Sequence, residues 1–481
     1  MSNFTKVIKK FPRTFWVAIT MEVFERWAWY GVFMVLAIYL TGSRDTGALG
    51  FTQTQKGSIM GVVVAILYFM PLLTGAIADK FGYKKVLLLA FGILSSGYLL
   101  MGYMTTYSSM FLIFLFVAVG AALFKPVISA TITKTTDDET SSIGFGLFYM
   151  MVNVGGFIGP LFASKLRAYD WSYVFIMASA IILVNFILVI FFYKEPKRTI
   201  NNDSLIDSVT KVLKNIFVAL SDYKLVIFLV IMVGFWTLLN QLYYAMPVFI
   251  DQWMDTKPLY NDIAAISEGL AKAIGSNGII LPEMITNLDA AFIVLFQILV
   301  STFVMRFKPL NAMMGGIIIG GIGFSLSYAT ANPLYASLGI IIFAFGEMSS
   351  SPKFTEYVGK IAPPGKEALY MGTSFLPVAA GNYFAGLISG PVYQNMSDKV
   401  TLLQREVAAR GLTVPEVSET FSQNDYMANV AAQLQMTNEQ LTQYLWNTYH
   451  PNNLWYLIGG ISLATVVLLY IYDKFILKSK K

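Results

Sequence analysis

Gly75-Ala-Ile-Ala-Asp79-Lys80-Phe-Gly82-Tyr-Lys84-Lys85 joins two apolar stretches, 54–79 and 84–104, each long enough to cross a bilayer. Three lysines and one aspartate fall within its last seven residues. A connection this short and basic is expected on the cytoplasmic side, which sets the direction of both neighbouring helices.

Working outward, the same alternation runs through the chain. Of its 481 residues, 56% are hydrophobic and only 13% charged, and the mean hydropathy is +0.61. A soluble chain of this length would read as several domains; this composition reads as one polytopic α-helical membrane protein. Twelve spans are expected, near 14–41, 54–79, 84–104, 109–134, 143–168, 172–194, 223–253, 287–306, 309–330, 335–361, 366–393 and 453–475. Several exceed the bilayer thickness and imply tilt or kinks. Gly315, Gly316, Gly320, Gly321 and Gly323 give span nine a small-residue face for close helix contact.

With the N-terminus inside and sides alternating, the cytoplasm receives Lys6, Lys9, Lys10 and Arg13; Lys80, Lys84 and Lys85; Lys194, Lys197, Arg198, Lys211 and Lys214; Arg306 and Lys308; and Lys474, Lys478, Lys480 and Lys481. These 18 belong to a total of about 22 of the 34 basic residues on the inside, with about nine outside, and the bias puts both termini in the cytoplasm. Arg26, Lys125 and Lys353 remain as the cations inside spans. The net charge of +6 follows from this bias and is no nucleic-acid signal. The basic start runs into a full span with no small-residue cleavage site, so an uncleaved first helix is expected. Zero cysteines exclude disulfides and thiol chemistry, and the single histidine, His450, cannot build a His-based metal cluster and reads as a loop residue before the last span.

Three bodies are expected: an N-terminal six-helix bundle, 1–194; a cytoplasmic linker, 195–222; and a C-terminal six-helix bundle, 223–481, with an external insertion at about 394–452. In the linker, Leu205, Val209, Val212, Leu213, Ile216 and Leu220 recur at helical spacing, as in a helix lying on the membrane surface. A second long outer segment covers 254–286. The insertion reads either as a small cap or as a partner surface.

Twelve spans divided six and six resemble the major facilitator architecture. The quoted loop resembles that superfamily's G-x-x-x-D-[RK]-x-G-x-[RK]-[RK] signature, which makes Gly75, Asp79, Gly82 and Lys84 a cytoplasmic-gate motif. There Asp79, at a helix end beside basic side chains, can lock that side through charge and helix-dipole contacts.

Glu22-Val-Phe-Glu25-Arg26-Trp-Ala-Trp29-Tyr30 lies inside the first span. Glu22, Glu25, Arg26, Trp29 and Phe33 stand at i, i+3, i+4, i+7 and i+11 and share one helix face. A charge at the bilayer centre costs roughly 3 kcal/mol or more, so this face must point into the bundle or a wet cavity. Candidate partners are Lys125 in span four and Glu347 in span ten; Lys353 and Glu356 are expected to pair locally.

These residues resemble the E-x-x-E-R-F-x-Y-Y signature of the proton-dependent oligopeptide transporters. Further matches follow in order: Tyr68-x-x-Pro71, Lys125-Pro126, Phe148-Tyr149-x-x-Val152-Asn153-x-Gly155, Phe235-Trp236 with Gln241, Gly346-Glu347, Ser351-Pro352, Lys360-Ile-Ala-Pro363, Met371-Gly372, Phe375-Leu376 and Gly381-Asn382. The resemblance implies that Glu22, Glu25, Arg26 and Lys125 couple protons. It also implies that Lys125 attracts a peptide carboxylate and Glu347 an amino terminus. Tyr30, Tyr68, Tyr149, Asn153 and Trp236 would line the pocket, with Asn240, Ser351, Phe375 and Asn382 in the same substrate set. A zwitterion asks for one fixed charge of each sign, and variable side chains ask for aromatic walls. The chain departs from the family at Trp27 and Trp29, at Phe33 where a second arginine is usual, at Asn240 where many bacterial members are acidic, and at Ser374 where a tryptophan is usual. Its linker is also too short for two extra spans.

The expected function is a proton-coupled importer of di- or tripeptides or peptide-like molecules. It would work by alternating access, two six-span halves rocking about a midplane site. It would be a monomer in a bacterial inner membrane, driven by the proton gradient without cofactor or metal. The alternatives are a relative carrying a modified peptide or other small organic anion or zwitterion, and a non-transporting receptor using the insertion. No nucleophile–base constellation or phosphate-binding loop points to an enzyme.

Overall fold

Apolar helices long enough to cross a bilayer make up more than half of the chain, because lipid offers the backbone no hydrogen-bond partners. The computed structural model describes residues 8–137, 140–197, 204–364 and 366–477. Lys6, Arg198, Lys478, Lys480 and Lys481 lie outside them. The helices are α1 (Arg13–Thr41), α2 (Gln53–Phe69), α3 (Pro71–Phe81), α4 (Tyr83–Met101), α5 (Tyr107–Lys134), α6 (Ser141–Arg167), α7 (Trp171–Phe191), α8 (Leu205–Ala219), α9 (Tyr223–Tyr244), α10 (Met246–Trp253), α11 (Lys257–Ile266), α12 (Glu268–Ile274), α13 (Pro282–Thr286), α14 (Leu288–Val304), α15 (Pro309–Ala329), α16 (Pro333–Ile361), α17 (Glu367–Thr373), α18 (Phe375–Leu387), α19 (Tyr393–Met396), α20 (Lys399–Arg410), α21 (Gln423–Gln433), α22 (Asn438–Tyr449) and α23 (Leu454–Ile471). Among the described residues, ten helices are long and apolar enough to span, or eleven when α2 and α3, bent by 47° at Pro71, count as one. The expected eleventh span, 366–393, is broken at Ser374 into α17 and α18 and continues into a π-helical turn, Ile388–Val392, kinked at Gly390.

The chain folds as two compact units. The first holds residues up to Val32, Val63–Val226 and Val358–Ala379. The second holds Phe33–Val62, Ile227–Tyr357 and Ala380 onward. The division cuts through α1 and α2, whose facing ends belong with the C-terminal elements.

In the first unit, α4 packs on α5 and α7, and α6 meets α1 through Gly155 and Gly159. A Cβ at Gly155 would lie 2.7 Å from the Arg26 Cβ, so only glycine admits this approach. The linker helix α8, capped by Ser204, turns its predicted apolar face inward and packs on α3 and α17.

In the second unit, Gly57 and Gly61 of α2 meet Gly386 of α18 and Gly390 backbone to backbone, with no side chain between. Span nine behaves similarly but selectively. Gly316, Gly320 and Gly323 face α16, Gly321 faces Ser462 of α23, and Gly315 faces open space. In the 254–286 segment, a two-strand ribbon, Gly275–Ser276 with Ile279–Ile280, turns at Asn277-Gly278, both left-handed (φ 51° and 78°), as such a turn requires.

The 394–452 segment forms a small three-helix body. Asp398, Ser422 and Thr437 cap α20, α21 and α22, and Leu402, Leu403, Val430, Leu441 and Leu445 fill its core. Glu406 is buried and accepts from Tyr449 Oη at 2.8 Å, Tyr444 Oη at 2.9 Å and Arg410. Burial pushes its carboxyl up, but the bonds from Tyr449, Arg410 and Tyr444 outweigh that and hold it below the ordinary carboxylate range. His450 lies in the loop after α22, left-handed at φ 50°.

Two outcomes are expected. Gly316→Val must push a side chain into the Gly346 carbonyl, 2.6 Å from the Cβ position, and should destabilise by about 2–3 kcal/mol, whereas Gly315→Val should not; melting curves of the two purified proteins compare them. A depressed carboxylate stabilises above its unfolded pKa of about 4.3, and that contribution is lost as pH falls through the lower folded value. Glu406→Ala should therefore speed hydrogen exchange of 399–449 at least about tenfold at pH 7, with the gap to wild type closing near pH 3. A gap that is constant with pH would mean the carboxylate charge plays no part.

Candidate functional site

The predicted charged face forms inside the first unit. Arg26 lies between both carboxylates of its own helix: its guanidinium pairs with Glu25, and its Nε stands 3.5 Å from a Glu22 oxygen. Glu25 is wholly buried, and Glu22 and Arg26 nearly so. The helical spacing that put these groups on one face therefore also lets Arg26 offset one of the two carboxylate charges locally, leaving a net −1. Arg26 also stands over the Tyr30 ring, 5.9 Å from its centroid. Asn185 of α7 donates to the Met21 carbonyl at 3.0 Å and fixes α1 beside its neighbour.

Lys125, one position before the helix-interior Pro126, lies with its Nζ 4.2 Å from the centroid of the Tyr68 ring. Its charge acts on Glu22 without a direct ion pair among the described residues. A cation held by an aromatic face is positioned yet open to an anion. Tyr149 is exposed, and its carbonyl accepts from Asn153 Nδ2 at 2.9 Å along α6. Phe375, also in this unit, is 37% exposed. Trp29 stacks on Phe114 at 6.1 Å, and Trp27 packs on Phe162 at 4.8 Å.

The loop motif is assembled in the same unit. Gly82, at φ 100°, makes the turn. Asp79 accepts from Tyr83 Oη at 3.1 Å, Lys84 Nζ donates to the Ile190 carbonyl at 3.0 Å, and Gly75 passes Pro126. The anion at the start of α4 is Glu195, which accepts from the backbone N–H of Tyr83 at 2.9 Å and of Lys84 at 3.2 Å.

The remaining candidates belong to the second unit. Asn382 Oδ1 accepts from Tyr244 Oη at 2.9 Å. Asn240 folds back to donate to the Trp236 carbonyl at 2.7 Å. Trp236 meets Phe354 edge-on and packs against Gly381. Phe33 packs on Tyr243 and Tyr244, at 5.5 and 5.9 Å. The usual charge pair of Phe33's and Asn240's positions is thus replaced by aromatic packing and an intrahelical hydrogen bond. Glu347 and Asp289 each have a buried oxygen with no hydrogen-bond partner among the described residues. Ser351 is half-buried on α16 one turn from Glu347, and Lys353 pairs with Glu356 at 2.7 Å as expected.

Sequence reasoning misses four residues. Lys56 counts there as an outer cation, but it lies within α2 and is wholly buried. Its Nζ donates to the Tyr244 carbonyl at 2.9 Å and stands over the Tyr393 ring at 5.2 Å. Its place inside the predicted span 54–79 is the available signal. Asp289, inside the predicted span 287–306, carries the same signal. Glu195 and Tyr98, whose buried hydroxyl lies in the field of Glu25, have none, because their partners are distant in sequence.

The sequence profile of the Major Facilitator Superfamily matches residues 18–385. An uncharacterized transporter, YclF, of Bacillus subtilis (strain 168) is 23% identical over 438 residues, covering 79% of this chain and 88% of that one. The dipeptide and tripeptide permease A of Serratia proteamaculans (strain 568) is 30% identical over 189 residues, 37% of this chain and 36% of its own. A crystal structure of a POT family transporter with 5-aminolevulinic acid superposes with a TM-score of 0.70, covering 97% of this chain and 99% of that one at 16% identity.

Arg26→Met should leave two buried carboxylates uncompensated and cost about 3–5 kcal/mol of stability. Adding Glu22→Gln and Glu25→Gln should recover most of it. Thermal unfolding of the single and triple variants in one detergent measures this; equal losses in both would show that Arg26 acts by packing.

Proposed function

The chain belongs to the Major Facilitator Superfamily, and from that premise we propose that it is a proton-coupled symporter importing di- or tripeptides, or peptide-like molecules, by alternating access. The observation that carries the reading is the buried Glu22–Glu25–Arg26 cluster with Lys125 beside it. Protonating a glutamate that shares one guanidinium weakens a pairing that α1 holds in a dry setting. Proton entry is thereby coupled to rearrangement of the helix. Lys125, poised over Tyr68, supplies the cation for a substrate carboxylate, and with Phe33 apolar it does so without a second arginine. The likeness to peptide permeases over about a third of the chain supports the substrate class.

In this reading the proton gradient is the driving force and no cofactor takes part. The transporter is a monomer in the inner membrane of a bacterium, with both termini cytoplasmic. The orientation rests on the lysine and arginine bias.

Purified protein in liposomes with an inward proton gradient should accumulate labelled dialanine. Glu25→Gln should abolish accumulation while sparing counterflow exchange; equal loss of both would make the cluster a fixed structural pair. If dialanine is neither accumulated nor competed for while other small metabolites are, the peptide reading fails.

A further inference from the structure

The 394–452 segment does more than fold on itself. Within the second unit it reaches the turn joining α1 and α2. Asn424 donates from its backbone to Ser43 Oγ at 3.1 Å and from Nδ2 to Asp45 Oδ2 at 2.9 Å. Gln423 Nε2 reaches the Thr41 carbonyl at 3.4 Å, and Arg44 stands 3.5 Å from Glu419. Gln394 Oε1 accepts from Thr54 N and Oγ1 at 2.9 and 2.7 Å. Asp398 is the junction. Its Oδ1 accepts from Gln53 Nε2 of α2 at 3.0 Å and from Gln252 Nε2 of α10 at 2.9 Å, while its Oδ2 caps α20. A cavity of about 120 Å³ lies beneath, lined by Ser43, Asp251, Gln252, Lys399 and Asn424 among others.

We infer that residues 394–452 are a clasp that holds the α1–α2 turn against α10 and α18, and that they must let go each time the transporter opens on that face. This rests on the transporter reading above. The bonds suit the task. Apart from the buried Gln53–Asp398 bond they are exposed or part-buried and replaceable by water, each neutral one contributing about 0.5–1.5 kcal/mol net and those to carboxylates about 1.5–3, so a ring of them can be made and broken. Beneath them lies the glycine seam of Gly57, Gly61, Gly386 and Gly390, which has no interdigitated side chains to extract. Lys56 works against closure, because a wholly buried ammonium bonded to one carbonyl gains hydration when the seam parts.

The cysteine-free chain allows a direct test. Cysteine at Met60, fully buried beside Tyr244, reports opening through labelling by a membrane-impermeant maleimide added outside, with no substrate needed. Adding Gln53→Ala should raise the labelling rate about tenfold, the equivalent of 1.4 kcal/mol; an unchanged rate overturns the clasp. In a second arm, Ser43→Cys with Asn424→Cys is oxidised, the crosslink is verified by mass, and uptake is measured before and after reduction. Uptake should vanish when crosslinked and return on reduction; transport at the reduced rate by crosslinked protein overturns the inference. Should wild-type liposomes take up no peptide at all, the peptide reading fails and the labelling arm alone decides the clasp.

Discussion

One guanidinium shared by two carboxylates of its own helix decides how this chain can place charge in lipid. Arg26 offsets one of the two carboxylate charges of Glu22 and Glu25 within a single turn, and the remaining −1 is left for a bound proton or the Lys125 ammonium to balance. Neighbouring helices seal and position α1. Gly155 and Gly159 bring α6 to the backbone of α1, Asn185 ties α7 to Met21, and the aromatic rings of Phe114 and Phe162 close over Trp29 and Trp27. Lys125 rests on Tyr68 without joining that pairing, which is what makes it available chemistry in place of structural glue.

The second unit solves the same problem differently. Where the resembled family pairs charges, Phe33 packs on two tyrosines and Asn240 bonds along its own helix. The polar work moves outward to amides and carboxylates, among them Asp398, which bridges two helices and caps a third. Between α1 and its partners, charge at depth gathers around Arg26, and weaker hydrogen bonds take over where the chain must separate.

What is legible in the sequence follows the reach of the interaction concerned. Helical periodicity and the lysine bias are local, so the spans, the amphipathic face of α8 and the shared face of Glu22, Glu25 and Arg26 can be read directly. The glycine face of span nine is visible as composition, but which glycines touch α16 and which touch α23 depends on packing, and Gly315 faces neither. Span eleven reads as continuous because a break at Ser374 and a kink at Gly390 leave its apolar composition intact. Lys56 is misplaced for another reason: charge counting assigns a residue near a predicted boundary to water, whereas the carbonyl and aromatic ring that enclose it come from α9 and from beyond residue 390. The carboxylate of Glu195 at the start of α4 is separated from its partners by more than a hundred residues and leaves no trace in any local pattern.

The glycine seam between α2 and α18 has a mechanical meaning of its own. Surfaces that interlock through leucine or phenylalanine side chains must disengage rotamer by rotamer, so their separation is slow and their resting register deep. Two backbones in bare contact meet no such teeth. They can slide or roll with little friction, and the position at which they stop is dictated by whatever surrounds them. A helix pair built this way is a bearing, with its tolerance set by the missing methyl groups of Gly57, Gly61 and Gly386.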